Sequence, residues 1–149
     1  MKELRLLRPI NPKNHWANQF QSLSNQSNFH EGVRHIFQTD PFFSHLTCYQ
    51  EVPVQDLIPE YYSKQHRFDW YIEELNIVLE LHGEQHYKPT NFGSMSYEQV
   101  QREFADGRRR DQLKQEAALE ANFKYVSLSY KEINKLTGTY LKSILLESK

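Results

Sequence analysis

"RFDWYIEELNIVLELHG", residues 67–83, decides how the rest of the chain is read. Two runs rich in aromatic and β-branched residues flank "EELN", a polar stretch short enough to be a tight turn. That pattern predicts an antiparallel hairpin. Side chains alternate along a strand, so Glu80 and His82 share one face while Leu81 points to the other. Asp69 stands in the first strand, eleven residues before Glu80. Across such a hairpin the two carboxylates come within several ångströms of each other.

Outward from the hairpin, the chain alternates helical and strand-like patterns. "SNFHEGVRHIFQTDP" (27–41) has Phe29, Val33, Ile36 and Phe37 at helical spacing. Asn28 and Glu31 are spaced as a capping box, and Asp40-Pro41 ends the pattern. "TCYQEVPV" (47–54) reads as a strand that Pro53 places at a sheet edge. Residues 55–65 and 88–98 read as loops. From Tyr97 to Asn122 the pattern is helical, with a break expected near Gly107 and Asn122 suited to a left-handed cap. "KYVSLSY" (124–130) is a further strand, and 131–149 an amphipathic helix running through Gly138. The expectation is an N-terminal arm, 1–25, and one α/β domain of the α+β kind, 26–149.

Composition narrows the partners. At 149 residues, with 38% hydrophobic and 13% aromatic content, the chain can bury one real core. A net charge of −1 gives no global basic character, so a nucleic-acid surface has to be local. Cys48 is the only cysteine, which excludes a disulfide framework and a multi-cysteine zinc site. No apolar run approaches membrane-spanning length, and a soluble cytoplasmic protein without membrane contact is expected.

Two converging carboxylates make an oxygen-rich pocket suited to Mg²⁺ or Mn²⁺. Asp69, Glu80, His82 and the Leu81 carbonyl are the candidate ligands. Asp…Glu-x-His has the form of the Asp…Glu-x-Lys nuclease core, with His82 where lysine usually stands. An ion there polarises a phosphodiester and helps ionise water, and a nearby histidine moves the proton. The plainer reading is a hairpin with one wet, charged face and a His-Gly bulge. Zinc fits poorly: His82 and His86 are four apart, but Gly83 and the preceding strand argue against the helix a zincin needs. The His82-Gly83-Glu84 triplet lacks the Cys-x-x-Cys partner of a zinc deaminase. Further along, Arg108, Arg109 and Arg110 form a basic patch fit for phosphate oxygens, or a solvated helix face. Asp111 and Lys114 lie three apart on one helix face, with Asp111 placed to orient His86 or a metal-bound water.

Together "RFDWYI", "NIVLELHGEQHY" and "RRRDQLKQEAALEANFKYVSLSY" resemble the very-short-patch-repair-like branch of the PD-(D/E)XK nucleases, closest to the phage-type EDxHD homing endonucleases. The matching positions are Glu31, Asp69, His82 with Gly83, Gln85 with His86, and Asp111 with Lys114, across about residues 28–130. Most members carry Asp-Gly where this chain has His82-Gly83, so His82 or Glu80 completes the metal site beside Asp69. The resemblance implies a restriction-endonuclease-like core, a small mixed sheet flanked by helices, and Mg²⁺-dependent DNA hydrolysis. Glu31, Asp69, His82, His86 and Asp111 would be catalytic, with His86 the general base. Arg108, Arg109, Arg110, Lys114, Lys88 and Gln85 would contact DNA, and a homodimer or a targeting protein would be the further partner. The competing expectation is a catalytically silent nucleic-acid-binding or assembly module on the same fold.

Overall fold

The computed structural model describes residues 28–83, 89, 93 and 95–147. Four strands, β1 (Cys48–Pro53), β2 (Arg67–Ile72), β3 (Ile77–His82) and β4 (Lys124–Ser129), form one sheet in the order β1-β2-β3-β4. β2 runs antiparallel to both β1 and β3, and β4 lies parallel to β3. The expected small mixed sheet flanked by helices is therefore present, with Pro53 on its edge strand.

Helices cover both faces. On one, α1 (Asn28–Thr39) and α4 (Gly138–Glu147) bring Val33, Phe37, Leu141 and Leu145 onto Trp70, Leu79, Leu81 and Leu128. Full burial of such side chains contributes roughly 1.5–3 kcal/mol each. On the other face, the single turn α2 (Val54–Leu57) and the long helix α3 (Tyr97–Glu120) pack Leu57 and Ala118 against Tyr71 and Val78.

The connection from β3 to β4 contains α3, because parallel neighbours need a crossover. Ser96 caps α3 by accepting from the Gln99 N–H at 3.1 Å. The expected break near Gly107 does not occur, and α3 is continuous over 24 residues. One glycine costs about 1 kcal/mol in a helix interior, too little to interrupt a helix docked along its length. The inward stripe runs Val100, Phe104, Gly107, Asp111, Lys114 and Ala118, at three- and four-residue spacing. Two charged residues thus occupy positions where an amphipathic helix ordinarily places apolar ones.

The helix end at Asn122 is as expected, with φ 68° in the left-handed region. The C-terminal helix is shorter than expected. Residues Tyr130–Lys135 form a 3₁₀ segment behind a Ser129–Glu132 capping box, and α4 starts at Gly138 rather than passing through it. A Cβ at 138 would collide with the Asp40 carboxylate, which explains glycine there. The arm expected at 1–25 and the Asn28 side chain of the expected capping box lie outside the described residues.

Candidate metal centre

The site begins where the β2–β3 ladder stops. The pairs Ile72↔Ile77, Tyr71↔Val78 and Trp70↔Leu79 are in register, and the next position sets Asp69 against Glu80. There the side chains take over the hydrogen bonding. The Asp69 N–H donates to Glu80 Oε2 at 2.8 Å, and the Leu81 N–H donates to Asp69 Oδ2 at 2.7 Å. Each carboxylate thereby satisfies a backbone donor that the diverging strands leave behind.

A third group arrives from the inward stripe of α3. The Lys114 ammonium pairs with Glu80 Oε1 and donates to the Arg67 carbonyl at 2.9 Å. Only 2% of Glu80 and 7% of Lys114 is exposed. Lys114, expected among the DNA contacts, is instead turned into the protein, where burial leaves it no phosphate to reach.

Sequence reasoning missed a further carboxylate. Between the pairs Gln50↔Trp70 and Val52↔Phe68, Glu51 sits in register with Asp69. Its φ of 56° is unusual for glutamate, and its carbonyl accepts from Arg67 Nη1 at 3.1 Å. Non-glycine residues held in this region carry strain that tends to collect at functional sites. No residue type announced it: glutamate has no preference for the left-handed conformation.

Crowding shows in the acidities. Burial, then the Asp69 charge, pushes Glu80 up from 4.5 to about 7, against the pull of Lys114. Burial also raises Asp69, with Glu51 adding to it and the Leu81 N–H and Lys114 opposing. Glu51 is raised by burial and by Glu80, against Arg67 and Lys114. Three carboxylates share one buried ammonium, an excess of negative charge that a cation relieves.

The donor set fits a divalent ion. Glu80, His82 and Asp111 each offer a ligand atom, all within 4.8 Å of one another, and the His82 Nε2 is sealed from solvent. Two carboxylates and an imidazole suit Mg²⁺ or Mn²⁺. The structure thus joins Glu80 and His82 as expected, but the third donor is Asp111. Asp69 stands beside them, where it accepts from the Leu81 N–H. Glu31 lies on α1, the helix that covers the opposite face, where it pairs with Arg34 at 3.6 Å. His86, Gln85 and Lys88 lie outside the described residues.

A groove of about 720 Å³ opens between α3 and β4, with His82, Asp111, Arg108 and Arg109 on its walls. The exposed Arg108 guanidinium lies 5.6 Å from the centre of the Phe104 ring. Arg110 faces elsewhere, since its charge acts on Tyr61 and His66, which share a 2.7 Å hydrogen bond. The basic patch is therefore divided between two sides of α3.

No protein-family model, no curated protein and no solved structure matches the chain. No helix among the described residues is long and apolar enough to cross a membrane.

Proposed function

We propose that this protein is a divalent-metal-dependent DNA endonuclease, a hydrolase of phosphodiester bonds, related to the very-short-patch-repair-like PD-(D/E)XK nucleases. One observation carries the reading. Asp69 and Glu80 meet at the opened end of two strands, a buried lysine neutralises Glu80, and His82 and Asp111 converge on the same carboxylate. The mixed sheet and the resemblance quoted from residues 67–130 support it.

Glu80, His82 and Asp111 would hold Mg²⁺ or Mn²⁺. The ion, when bound, supplies Lewis acidity toward a phosphodiester and lowers the pKa of water. The remaining work belongs to the protein. Lys114 fixes the Glu80 carboxylate and lowers the local charge, while Asp69 ties the end of β3 to that of β2. Arg108 and Arg109 hold phosphate oxygens along the groove. The general-base role remains with His86, on the strength of the sequence resemblance.

A second reading has an observation in its favour. The Lys114–Glu80 pair satisfies both partners without an ion, as a silent nucleic-acid-binding or assembly module would require. Supercoiled plasmid incubated with purified protein and Mn²⁺ separates the two. The nuclease should nick it, EDTA should stop it, and Glu80→Gln, which keeps the shape of the side chain, should reduce it to background. Unimpaired nicking by Glu80→Gln would remove this centre from the reaction, and no nicking by the wild type would favour the silent module.

A further inference from the structure

The groove beside the centre is not lined as a duplex-binding surface ordinarily is. A duplex presents its phosphates outward and keeps its bases stacked, so a cationic rim suffices to hold it. Here Arg108 and Arg109 supply such a rim, but the walls between them and β4 are of a different kind. Phe104 of α3 and Tyr125 of β4 put two half-buried aromatic rings into the groove, and Gln112 and Gln115 add side-chain amides. Half-buried rings are of little use to a base that is already paired. Rings with exposed amides beside them suit an unpaired base, which stacks on a ring and hydrogen-bonds through its free edges. A groove of about 720 Å³ lies in the range of cavities that enclose a small ligand. The Arg108 guanidinium lies over the Phe104 ring and brings a flat cation to the same spot, a second group on which a base can stack.

We infer that this groove binds an unpaired nucleotide of a single-stranded polynucleotide, its base against Phe104 and Tyr125 and its phosphate on Arg108 and Arg109. His82 and Asp111 form part of the same wall, so the held nucleotide lies next to the centre. Resting on the endonuclease reading, the inference names the substrate class as single strands, flaps or duplexes with an unpaired base. The chemistry is shared by DNA and RNA.

The test uses fluorescein-labelled oligothymidylate, oligouridylate and a duplex DNA of equal length, with anisotropy read in EDTA so that no strand is cut. Wild-type protein should bind the single strands at least about tenfold more tightly than the duplex, from one or more stacked bases. Phe104→Leu, which keeps an apolar side chain on α3, should remove most of that preference and leave duplex binding unchanged. Tighter binding of one oligomer over the other assigns the sugar. Equal affinity for duplex and single strand overturns the inference, as does a Phe104→Leu variant that keeps the preference while circular dichroism shows it folded. Cutting is scored separately, with Mn²⁺ in place of EDTA, on the same single strands and on plasmid. A protein that prefers single strands but cuts nothing upholds the groove and loses the nuclease. One that cuts duplex without preference upholds the nuclease and overturns the groove.

Discussion

At the turn end of the β2–β3 hairpin, two glutamates are met by donors at the surface. The Tyr49 hydroxyl donates to Glu73 at 3.0 Å, and the Thr47 N–H and hydroxyl donate to Glu74 at 2.6 and 2.7 Å. At the open end, Glu80 and Asp69 are buried against each other, with a carboxylate excess that one lysine offsets. The turn end uses acids as hydrogen-bond acceptors in contact with water, at little cost in desolvation. The open end holds them where the charged form is disfavoured, the kind of environment in which shifted acidities collect. The same residue type, six positions apart in Glu74 and Glu80, thus closes the turn at one end and makes a buried, crowded acidic site at the other.

The contrast is tested most severely at Lys114. Lys114→Met leaves Glu80 buried without its cation, and removing one partner of a buried pair costs about 3–5 kcal/mol. Urea denaturation at pH 8 should show this loss. The double variant Lys114→Met/Glu80→Leu should recover most of it, because neither charge then remains buried. Additive losses in the double variant would mean that the pair is not the source of the effect.

Next in size is the dependence on pH. Glu80 titrates near 4.5 unfolded and at about 7 folded. Between those values the native state keeps a proton that the unfolded chain has released. Stability therefore falls as pH rises from about 4.5 to 7 and levels off above, with up to about 3–4 kcal/mol coming from Glu80. Asp69 and Glu51 are raised in the same direction and add to the fall. Glu80→Gln should flatten most of the slope in denaturation measured across that window, whereas a slope unchanged in Glu80→Gln would place its origin elsewhere.

A bound ion should reverse the penalty. At a concentration about a hundredfold above its dissociation constant, Mn²⁺ should stabilise the protein by roughly 2.7 kcal/mol, raising Tm by about 5–10 °C. Asp111→Asn should lose most of this shift in a thermal melt while unfolding near the wild-type temperature without metal. Retention of the full shift would exclude Asp111 from the donor set.

The arginines sharpen the comparison at the periphery. Arg109→Ala should weaken polynucleotide binding and reduce the magnitude of its log–log salt slope by about 0.7–0.9, the loss of one phosphate contact. Arg110→Ala should change the slope less, since Arg110 faces the Tyr61–His66 pair and not the groove. Equal slopes in the two variants would mean that the patch acts as a whole.

The hairpin was legible because its signals are local. Alternation along 67–82, a four-residue turn and the order of the residues were enough to bring Asp69 and Glu80 together. The spacing of Asp111 and Lys114 likewise put both on one face of α3. What could not be read is which way that face turns: charged residues are ordinarily a solvated face, and only the docking of α3 makes them interior. Glu51 escaped because its relevance depends on the β1–β2 register and on a left-handed backbone that glutamate does not advertise. The start of α4 at Gly138 depends on Asp40, nearly a hundred residues away, and no local pattern encodes that contact.

The smallest effect belongs to the turn end. Glu74→Ala removes two hydrogen bonds from Thr47, but Glu74 is exposed and water takes its place around the donors. The expected loss is about 0.5–1.5 kcal/mol. The Glu73 N–H still donates to the Thr47 carbonyl at 2.9 Å, so β1 keeps its anchor to the turn. Neither the fall in stability between pH 4.5 and 7 nor Mn²⁺-dependent nicking should change, because both arise at the other end of the hairpin. Urea denaturation at pH 5 and pH 8 alongside the plasmid assay checks all three. A Glu74→Ala loss matching that of Lys114→Met, or a flattened pH profile, would show that the two ends are energetically one unit, and the division of labour along the hairpin would fall.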